Sequence, residues 1–285
     1  MSQANQLLGA EYQLYRNSKT NDMVIRTIGY SLPTVLHTLI QTVTPTTHFP
    51  SKRGMRQTPR GRSLEAALAP ALAAPDKVVT ARQLPGLKPS ALRWLYQTNS
   101  YLPRGPHRSK IVVLGFYNDS PSQLDLTEFM TRYRSDGIDA GFVVEQLNGG
   151  GYNPDNPNDV ANFVVQYAAA MTYPTPIVFY SIGGNMQWDH TGQPLADDMD
   201  LVWMNKLLVD LAPPHTLIIG YGEPEMNLPE GYARALCDQY ARLGVRGITV
   251  LVASGQDGVG EGECVNHGVF RFRPEFPSTC TCGIL

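Results

Sequence analysis

Continuously apolar runs of six or seven residues recur in this chain from about residue 88 onward. They lie at 110–116, 140–145, 176–182, 215–221 and 247–253. Stretches with helical spacing separate them, near 122–135, 159–172, 196–211 and 229–243, and Gly244 is suited to end the last helix. Strands that are apolar throughout are typical of a parallel sheet, because helices cover both of its faces. The pattern therefore predicts an α/β fold whose crossovers are right-handed.

Two segments of different composition precede this region. Residues 1–50 contain a strand-like stretch at 23–33, a short helical stretch from Thr34 to about Gln41, and an extended stretch to Pro50. A unit of this size cannot bury its own apolar face. Residues 51–87 begin with basic side chains and continue with Ala, Leu and Pro, without a sustained strand or helix period. We interpret them as a solvated linker, with contact to an acidic surface as the alternative, that leads to a domain at 88–285.

The composition is that of a globular chain with a core. Hydrophobic residues make up 42% and charged residues 17% of the sequence, and the formal net charge is −2. This charge gives no electrostatic reason to expect nucleic acid or an anionic membrane as a partner. No apolar run approaches the roughly 20 residues that span a bilayer. The first residues have no charged-then-apolar secretory pattern, so the sequence assigns the chain to no compartment.

Four blocks of sequence carry a family resemblance. They are the end of the first unit at 25–49, the helical stretch 159–167, the strand and glycine turn 246–260, and the stretch 276–280. Together they resemble the sedolisins, a family of serine-carboxyl peptidases, and in particular their fungal tripeptidyl-peptidase-like branch. The resemblance implies a subtilisin-like core in the domain 88–285. It also implies that residues 1–50 are the C-terminal remnant of a propeptide, cut from the mature enzyme within the linker, with Lys52-Arg53 as a candidate cleavage site.

The resemblance further implies where the catalytic side chains should lie. The family's helix carries a Glu and an Asp four residues apart, and therefore on one helical face, where this chain has Val160 and Val164. The Asp of a Ser-Gly-Asp turn that helps to build the oxyanion hole is replaced by Gln256. An amide can donate a hydrogen bond to an oxyanion, but we prefer to interpret Gln256 as an ordinary turn residue. We expect all three positions to be non-functional.

Other parts of the family pattern are expected to be missing. The likeness ends abruptly at Thr281, and neither the nucleophilic Ser segment nor the calcium loop of the family is present in the sequence, so no cofactor is expected. The stretch 216–222 has apolar residues where the family's cleft wall is rich in Ser and Thr. In relatives, cysteines flank the stretch 276–280, which implies a disulfide between Cys264 and Cys280.

A displaced acid pair does not restore the chemistry. Asp155 and Asp159 are also four residues apart, but Pro154 and Pro157 predict a loop between them, and Asp159 is predicted to cap the helix that follows. Losing members of a catalytic unit is strongly non-additive. We therefore expect a degenerate, inactive homologue of an acid-acting tripeptidyl peptidase. The alternatives are a non-catalytic protein that binds peptides or a propeptide, a fragment of an active secreted enzyme, and a product without a selected function.

Overall fold

In the computed structural model of this chain, part of the sequence is described, and all structural statements concern that part. It comprises residues 1–16, 18, 23–44, 46–49, 53–54, 88–103, 109–183, 199–255, 265–266, 269–270 and 272–281. Among the helices of these residues, none combines the length and the hydrophobicity that a bilayer crossing requires.

The N-terminal unit is a small α+β arrangement. Helix α1 (Ser2–Leu8) precedes strands β1 (Gln13–Arg16) and β2 (Met23–Arg26), which pair as an antiparallel hairpin. The predicted helix after Thr34 is only a 3-10 turn at Thr34–Leu36. A two-residue strand, β3 (Arg53–Gly54), follows. The unit is therefore less regular than the strand and helix that the sequence predicted.

The second domain alternates helices and strands, as the sequence predicted. Its elements are α2 (Pro89–Leu95), β4 (Ile111–Phe116), α3 (Gln123–Tyr133), β5 (Phe142–Leu147), α4 (Asp159–Thr172), β6 (Ile177–Ile182), α5 (Met199–Val209), β7 (Thr216–Ile219), β8 (Tyr221–Pro224), α6 (Glu230–Val245), β9 (Thr249–Val252), β10 (Val265–Asn266), β11 (Val269–Phe270) and β12 (Glu275–Phe276). Helix α6 continues past Gly244, and the left-handed glycine that follows it is Gly247, with φ of 81°. Gly244 was therefore wrongly predicted to end the helix.

Five strands form the central sheet, in the order β5-β6-β4-β7-β9, and all neighbouring pairs are parallel. The parallel sheet is confirmed. Strand β4 lies in the middle, with β5 and β6 on one side and β7 and β9 on the other. A second sheet of three antiparallel strands has the order β12-β8-β3, so β8 pairs with the segment that follows the N-terminal unit. In parallel sheets, ligands bind outside the carboxyl ends of strands where the strand order reverses, which here is the edge at β4 and β7.

Helices cover both faces of the central sheet. Because successive side chains of a strand point to opposite faces, Leu114 packs with Trp203 and Leu236 from α5 and α6, while Val113 packs with Met130 and Val165 from α3 and α4. Every residue of β4 is buried. The helix-covered parallel sheet that the apolar runs predicted is therefore confirmed.

Helix α4 breaks the predicted handedness of the crossovers. The connections from β5 to β6 and from β6 to β7 advance in the same direction across the sheet. Their helices, α4 and α5, nevertheless pack on opposite faces, so these two crossovers have opposite hands. The α3 and α6 connections share the hand of α5, which leaves α4 as the exception. The expectation that all crossovers are right-handed is therefore wrong for the connection from β5 to β6. Right-handed crossovers are a general preference, and here α4 packs beside α3 on the same face of the sheet.

One disulfide connects Cys237 on α6 with Cys280, across 43 residues of sequence. The expected bridge between Cys264 and Cys280 is therefore wrong. The pairing was implied by cysteines that flank the stretch 276–280 in relatives, whereas here Cys280 lies against α6, with 5.3 Å between the Cα atoms of Cys237 and Cys280. Cys264 and Cys282 lie outside the described residues.

Candidate functional site

The carboxyl edge of the central sheet is formed by tight turns. Tyr117 and Asn118, which follow β4, have φ of 57° and 61°, a conformation that is uncommon for residues other than glycine. The side-chain oxygen Oδ1 of Asn118 accepts a hydrogen bond of 2.7 Å from the backbone N–H of Gly151. This bond joins the turn after β4 to the turn after β5. The edge is therefore held in place by contacts between loops as well as by the strands.

Two glycine turns at this edge touch through their backbones. A Cβ atom at Gly150 would lie 2.1 Å from the carbonyl oxygen of Ser181, and one at Gly183 would lie 2.3 Å from that of Asn148. The backbone N–H of Gly183 donates to the carbonyl of Leu147 at 2.9 Å. Only glycine permits this separation, so the turns after β5 and β6 are packed directly on one another.

Helix α4 begins at this edge and is capped by Asn158. Its Oδ1 accepts hydrogen bonds from the backbone N–H groups of Val160 at 2.8 Å and Ala161 at 3.4 Å. The prediction that Asp159 caps the helix is wrong by one residue; Asp159 is the first helical residue instead. Asp155 lies in the preceding loop, so Asp155 and Asp159 do not share a helical face. This agrees with the loop that Pro154 and Pro157 predicted.

Val160 and Val164 lie one turn apart in the first half of α4. Val160 is buried, with 7% of its surface exposed, in the apolar cluster that contains Leu114, Phe116 and Tyr221. Val164 is half-buried and packs against the apolar clusters on both faces of the sheet. The structure thus brings the two predicted positions together at the carboxyl edge. A valine side chain has no atom that can accept, hold or transfer a proton.

The third predicted position, Gln256, lies outside the described residues. The structure describes the end of β9 and Gly255 before it, where the backbone N–H of Ala253 donates to the carbonyl of Ile219 at 3.0 Å and Gly255 has φ of 88°. The strand predicted within 246–260 is therefore present, and the part of its glycine turn after Gly255 lies outside the described residues. The role of Gln256 stays a prediction.

An acid and a phenol meet at the same edge, and the sequence reasoning missed them. The Oη of Tyr221 donates a hydrogen bond of 2.7 Å to Oδ2 of Asp119. Burial, and next the Asp119 carboxylate, hold the pKa of Tyr221 well above its usual value, so the phenol stays protonated and donates. Asp119 closely follows β4 and Tyr221 follows β7. The carboxyl ends of neighbouring parallel strands lie at one edge of the sheet. The positions of Asp119 and Tyr221 just after their strands could therefore have indicated that the two side chains lie close together.

The N-terminal unit contacts the domain close to this edge. The backbone of β3 pairs with β8, with Arg53 opposite Gly222 and Gly54 opposite Tyr221. In the same region, Nε2 of His48 lies 3.4 Å from Oε1 of Glu223, and Glu223 is fully buried.

Further contacts surround His48 and Glu223. The ring of His48 stacks on that of Tyr232 from α6, with centroids 4.7 Å apart, and the Nε of Arg26 donates to the backbone carbonyl of His48. Gln41 donates to Oδ2 of Asp238 at 3.3 Å. The N-terminal unit therefore contacts β8 and α6 through the His48–Glu223 contact and a ring stack, and β3, just after the unit, pairs with β8.

No cluster of metal-binding side chains is found in the part of the chain that the structure describes. That part contains no group of three or more His, Cys, Asp or Glu side chains arranged to hold an ion. We therefore assign none of the described residues to calcium.

Comparisons with known proteins identify relatives of the whole chain. The model of the family described as "Pro-kumamolisin, activation domain" matches residues 1–49. Tripeptidyl-peptidase sed4 of Aspergillus fumigatus is 30% identical over 291 residues, which cover 97% of this chain and 47% of that protein. Tripeptidyl-peptidase SED2 of Arthroderma otae is 27% identical over 290 residues, which cover 97% of this chain and 48% of the relative. The chain spans about half the length of the curated relatives it matches.

Solved structures are also similar, among them Pseudomonas sedolisin, described as a serine-carboxyl proteinase complexed with two molecules of pseudo-iodotyrostatin. It has a TM-score of 0.47 and 15% sequence identity, and the match covers 69% of this chain and 52% of that chain.

Proposed function

Since this chain belongs to the sedolisin family of peptidases, we propose that it is a member that has lost catalysis and does not cleave peptides. The observation that carries the proposal is the environment of Val160 and Val164. Both are contacted by apolar side chains at the carboxyl edge of the sheet, at the two positions that the sequence resemblance assigns to the catalytic acids.

The chemistry of the family supports this proposal. By resemblance, the acid at position 160 would take the proton of the nucleophile and the acid at 164 would orient it. Losing the first member of such a unit costs on the order of 10³- to 10⁶-fold in rate. The Tyr221–Asp119 pair does not replace the acids, because Tyr221 keeps its proton and occupies one oxygen of Asp119. The surroundings of Val160 would also disfavour a charged side chain.

The test is a peptidase assay on the purified chain. We expect no release of fluorophore from fluorogenic tripeptide substrates between about pH 3 and pH 6, with an active tripeptidyl peptidase assayed beside it. Turnover that co-purifies with the chain and disappears in V160A/V164A would overturn the proposal. Turnover that is unchanged in V160A/V164A would identify a contaminant or a different site, and inhibitor labelling of the purified band distinguishes the two.

A second candidate function is binding of a propeptide-like unit. The contact between His48 and Glu223 favours it, because it places a side chain of the N-terminal unit against a fully buried acid of β8. On this proposal, the face formed by β8 and α6 holds residues 1–49 of its own chain and would hold a similar unit from a relative. Peptides would bind the same face if their extended strand replaced β3 beside β8.

This candidate is tested by cutting the chain between its two parts. A specific protease site inserted between residues 60 and 80 would permit cleavage after folding. We expect the two fragments to remain together in size-exclusion chromatography, and H48A to weaken their association at least tenfold. H37A is the matched control, since His37 is exposed and bonded within the N-terminal unit. Immediate separation of the unsubstituted fragments would reject the binding function.

A further inference from the structure

Gly220 lies directly after β7, at the carboxyl edge, and faces Val164. A Cβ atom added to Gly220 would lie 2.6 Å from Cγ2 of Val164, and 3.8 and 3.9 Å from its Cβ and Cγ1, so that all three of its nearest atoms belong to Val164. The backbone of Gly220 is not in the left-handed region, in contrast to Gly247 and Gly255. The backbone conformation therefore does not require glycine at this position. The close contact with Val164 does.

Val164 cannot easily move away from this contact. A β-branched residue in a helix has one strongly preferred χ1 rotamer, so its methyl groups cannot rotate at low cost. The side chain is also packed against apolar residues on both faces of the sheet, and α4 is bonded at its start by the Asn158 cap. A side chain at 220 would have to displace the helix or strand β7. Residue 164 thus decides what position 220 can carry.

We propose that Gly220 is the positioning partner of residue 164, so that a carboxylate at 164 can be held in this edge only when residue 220 carries a hydroxyl group. The inference rests on the proposed function, because it concerns the position that the resemblance assigns to a catalytic acid. In the present chain, the methyl group Cγ2 of Val164 fills the space beside Gly220, and the contact between the two residues is apolar. In the V164D variant, the same space admits a serine side chain whose O–H donates to the carboxylate.

The alternative arrangement, V164D with Gly220 retained, is poor for a physical reason. A carboxylate that replaces the Val164 side chain is partly removed from water, and a glycine offers it no side-chain donor. A donor at 220 would satisfy one carboxylate oxygen and favour the ionised form. G220A provides the matched control, because alanine adds the same Cβ atom without the hydroxyl.

The first experiment is a cycle of thermal unfolding measurements. In the unsubstituted chain, G220A and G220S should each lower Tm by roughly 3–8 °C, because both add an atom to filled space. In V164A, which removes the obstructing methyl groups, the same two substitutions should cost less than about 2 °C. In V164D, G220S should raise Tm, and G220A should raise it less or not at all. An equal loss of Tm from G220S in all three backgrounds would overturn the coupling.

The second readout separates positioning from simple packing. V164D should lose Tm as pH rises from about 4 to 8, because an acid that is harder to ionise in the folded chain than in the unfolded chain stabilises the fold only at low pH. V164D/G220S should lose less over the same range, and V164N should show no such dependence. If G220A flattened the pH profile as well as G220S, the hydroxyl would have no role and the inference would be wrong. The V164A cycle still decides the packing contact if V164D fails to fold.

The two proposals fail separately. Peptide turnover by the unsubstituted chain would overturn the lost catalysis without changing the unfolding cycle. Additive unfolding data would overturn the Gly220–Val164 coupling and leave the peptidase assay unaffected.

Discussion

Two regions of this molecule differ in whether they contain an ionisable side chain. At the carboxyl edge, Val160 and Val164 place apolar groups where the family resemblance expects two acids. On strand β8, which begins one residue after Gly220, a fully buried Glu223 lies against His48 of the N-terminal unit. The contacts of the first region are apolar and do not depend on the protonation of any side chain. The second keeps a buried acid whose contact with His48 joins two parts of the chain.

This difference has consequences for stability. Apolar side chains such as Val160 stabilise the fold through burial alone and depend on no single partner. Glu223 is fully buried and lies 3.4 Å from His48, so its surroundings change if the N-terminal unit leaves. We therefore expect substitutions at β8 to affect the association of the two parts, and substitutions at the edge to affect only the domain. The following predictions test that contrast.

The largest effect is expected from E223A. The substitution removes a fully buried side chain together with its contact to His48, and losses of this kind are among the larger effects of single substitutions. Here we expect a loss of roughly 3 kcal/mol in the free energy of unfolding, measured by urea denaturation. E225A is the control, because Glu225 is exposed and should change the value by no more than about 0.5 kcal/mol. Equal effects of the two substitutions would remove the contrast between the regions.

The contact between His48 and Glu223 could not be predicted from the sequence. His48 and Glu223 are far apart in the chain, and no local pattern relates them. The five parallel strands were predicted correctly because each apolar run carries its own signal of double-sided burial. The hairpin of β1 and β2 was only partly foreseen, since its strands have four residues each and alternate weakly.

The same distinction applies to the candidate site. Val160 and Val164 were predicted to share a face because helix geometry is local, and the structure places both at the carboxyl edge. The contact of Val164 with Gly220 and the bond from Tyr221 to Asp119 depend on how α4, β4 and β7 meet, which the sequence does not specify. The disulfide was predicted wrongly for the same reason, since Cys237 reaches Cys280 only through the fold.

The next largest effect is expected from V160E. This substitution places an ionisable group at the carboxyl edge, where the unsubstituted chain has apolar side chains. Burial should raise the pKa of the new carboxyl, so the variant should lose about 2–3 kcal/mol at pH 7. The loss should shrink as the pH falls toward 4, because the folded chain then holds the neutral acid at less cost. V160Q has nearly the same shape without the charge, and urea denaturation of both variants at pH 4 and pH 7 separates charge from volume. A loss that is identical at both pH values would contradict a charge effect.

A smaller effect is expected from Y221F, at the point where the two regions meet. It removes the hydrogen bond to Asp119 and should cost about 1–2 kcal/mol at pH 7. Because the pKa of Tyr221 is raised in the folded chain, stability from this residue is present below about pH 10 and is lost as the pH rises further. Y221F should therefore lose less stability than the unsubstituted chain between about pH 9.5 and 11.5. Y133F provides a control, and equal pH slopes in Y221F and the unsubstituted chain would contradict the assigned pKa shift.

The smallest effect is expected from an exposed ion pair on α6, which contrasts in burial with the contact of His48 and Glu223. Arg234 lies one turn after Glu230 on α6, at 2.8 Å, and both side chains are largely exposed. Water and salt screen such a pair, so R234Q should cost only about 0.3–0.5 kcal/mol, and less at 1 M salt. The loss from E223A should persist at 1 M salt, since screening reaches a buried pair weakly. If R234Q cost as much as E223A, or if salt abolished both losses, burial would not be what distinguishes the contact of the N-terminal unit from an ordinary surface ion pair.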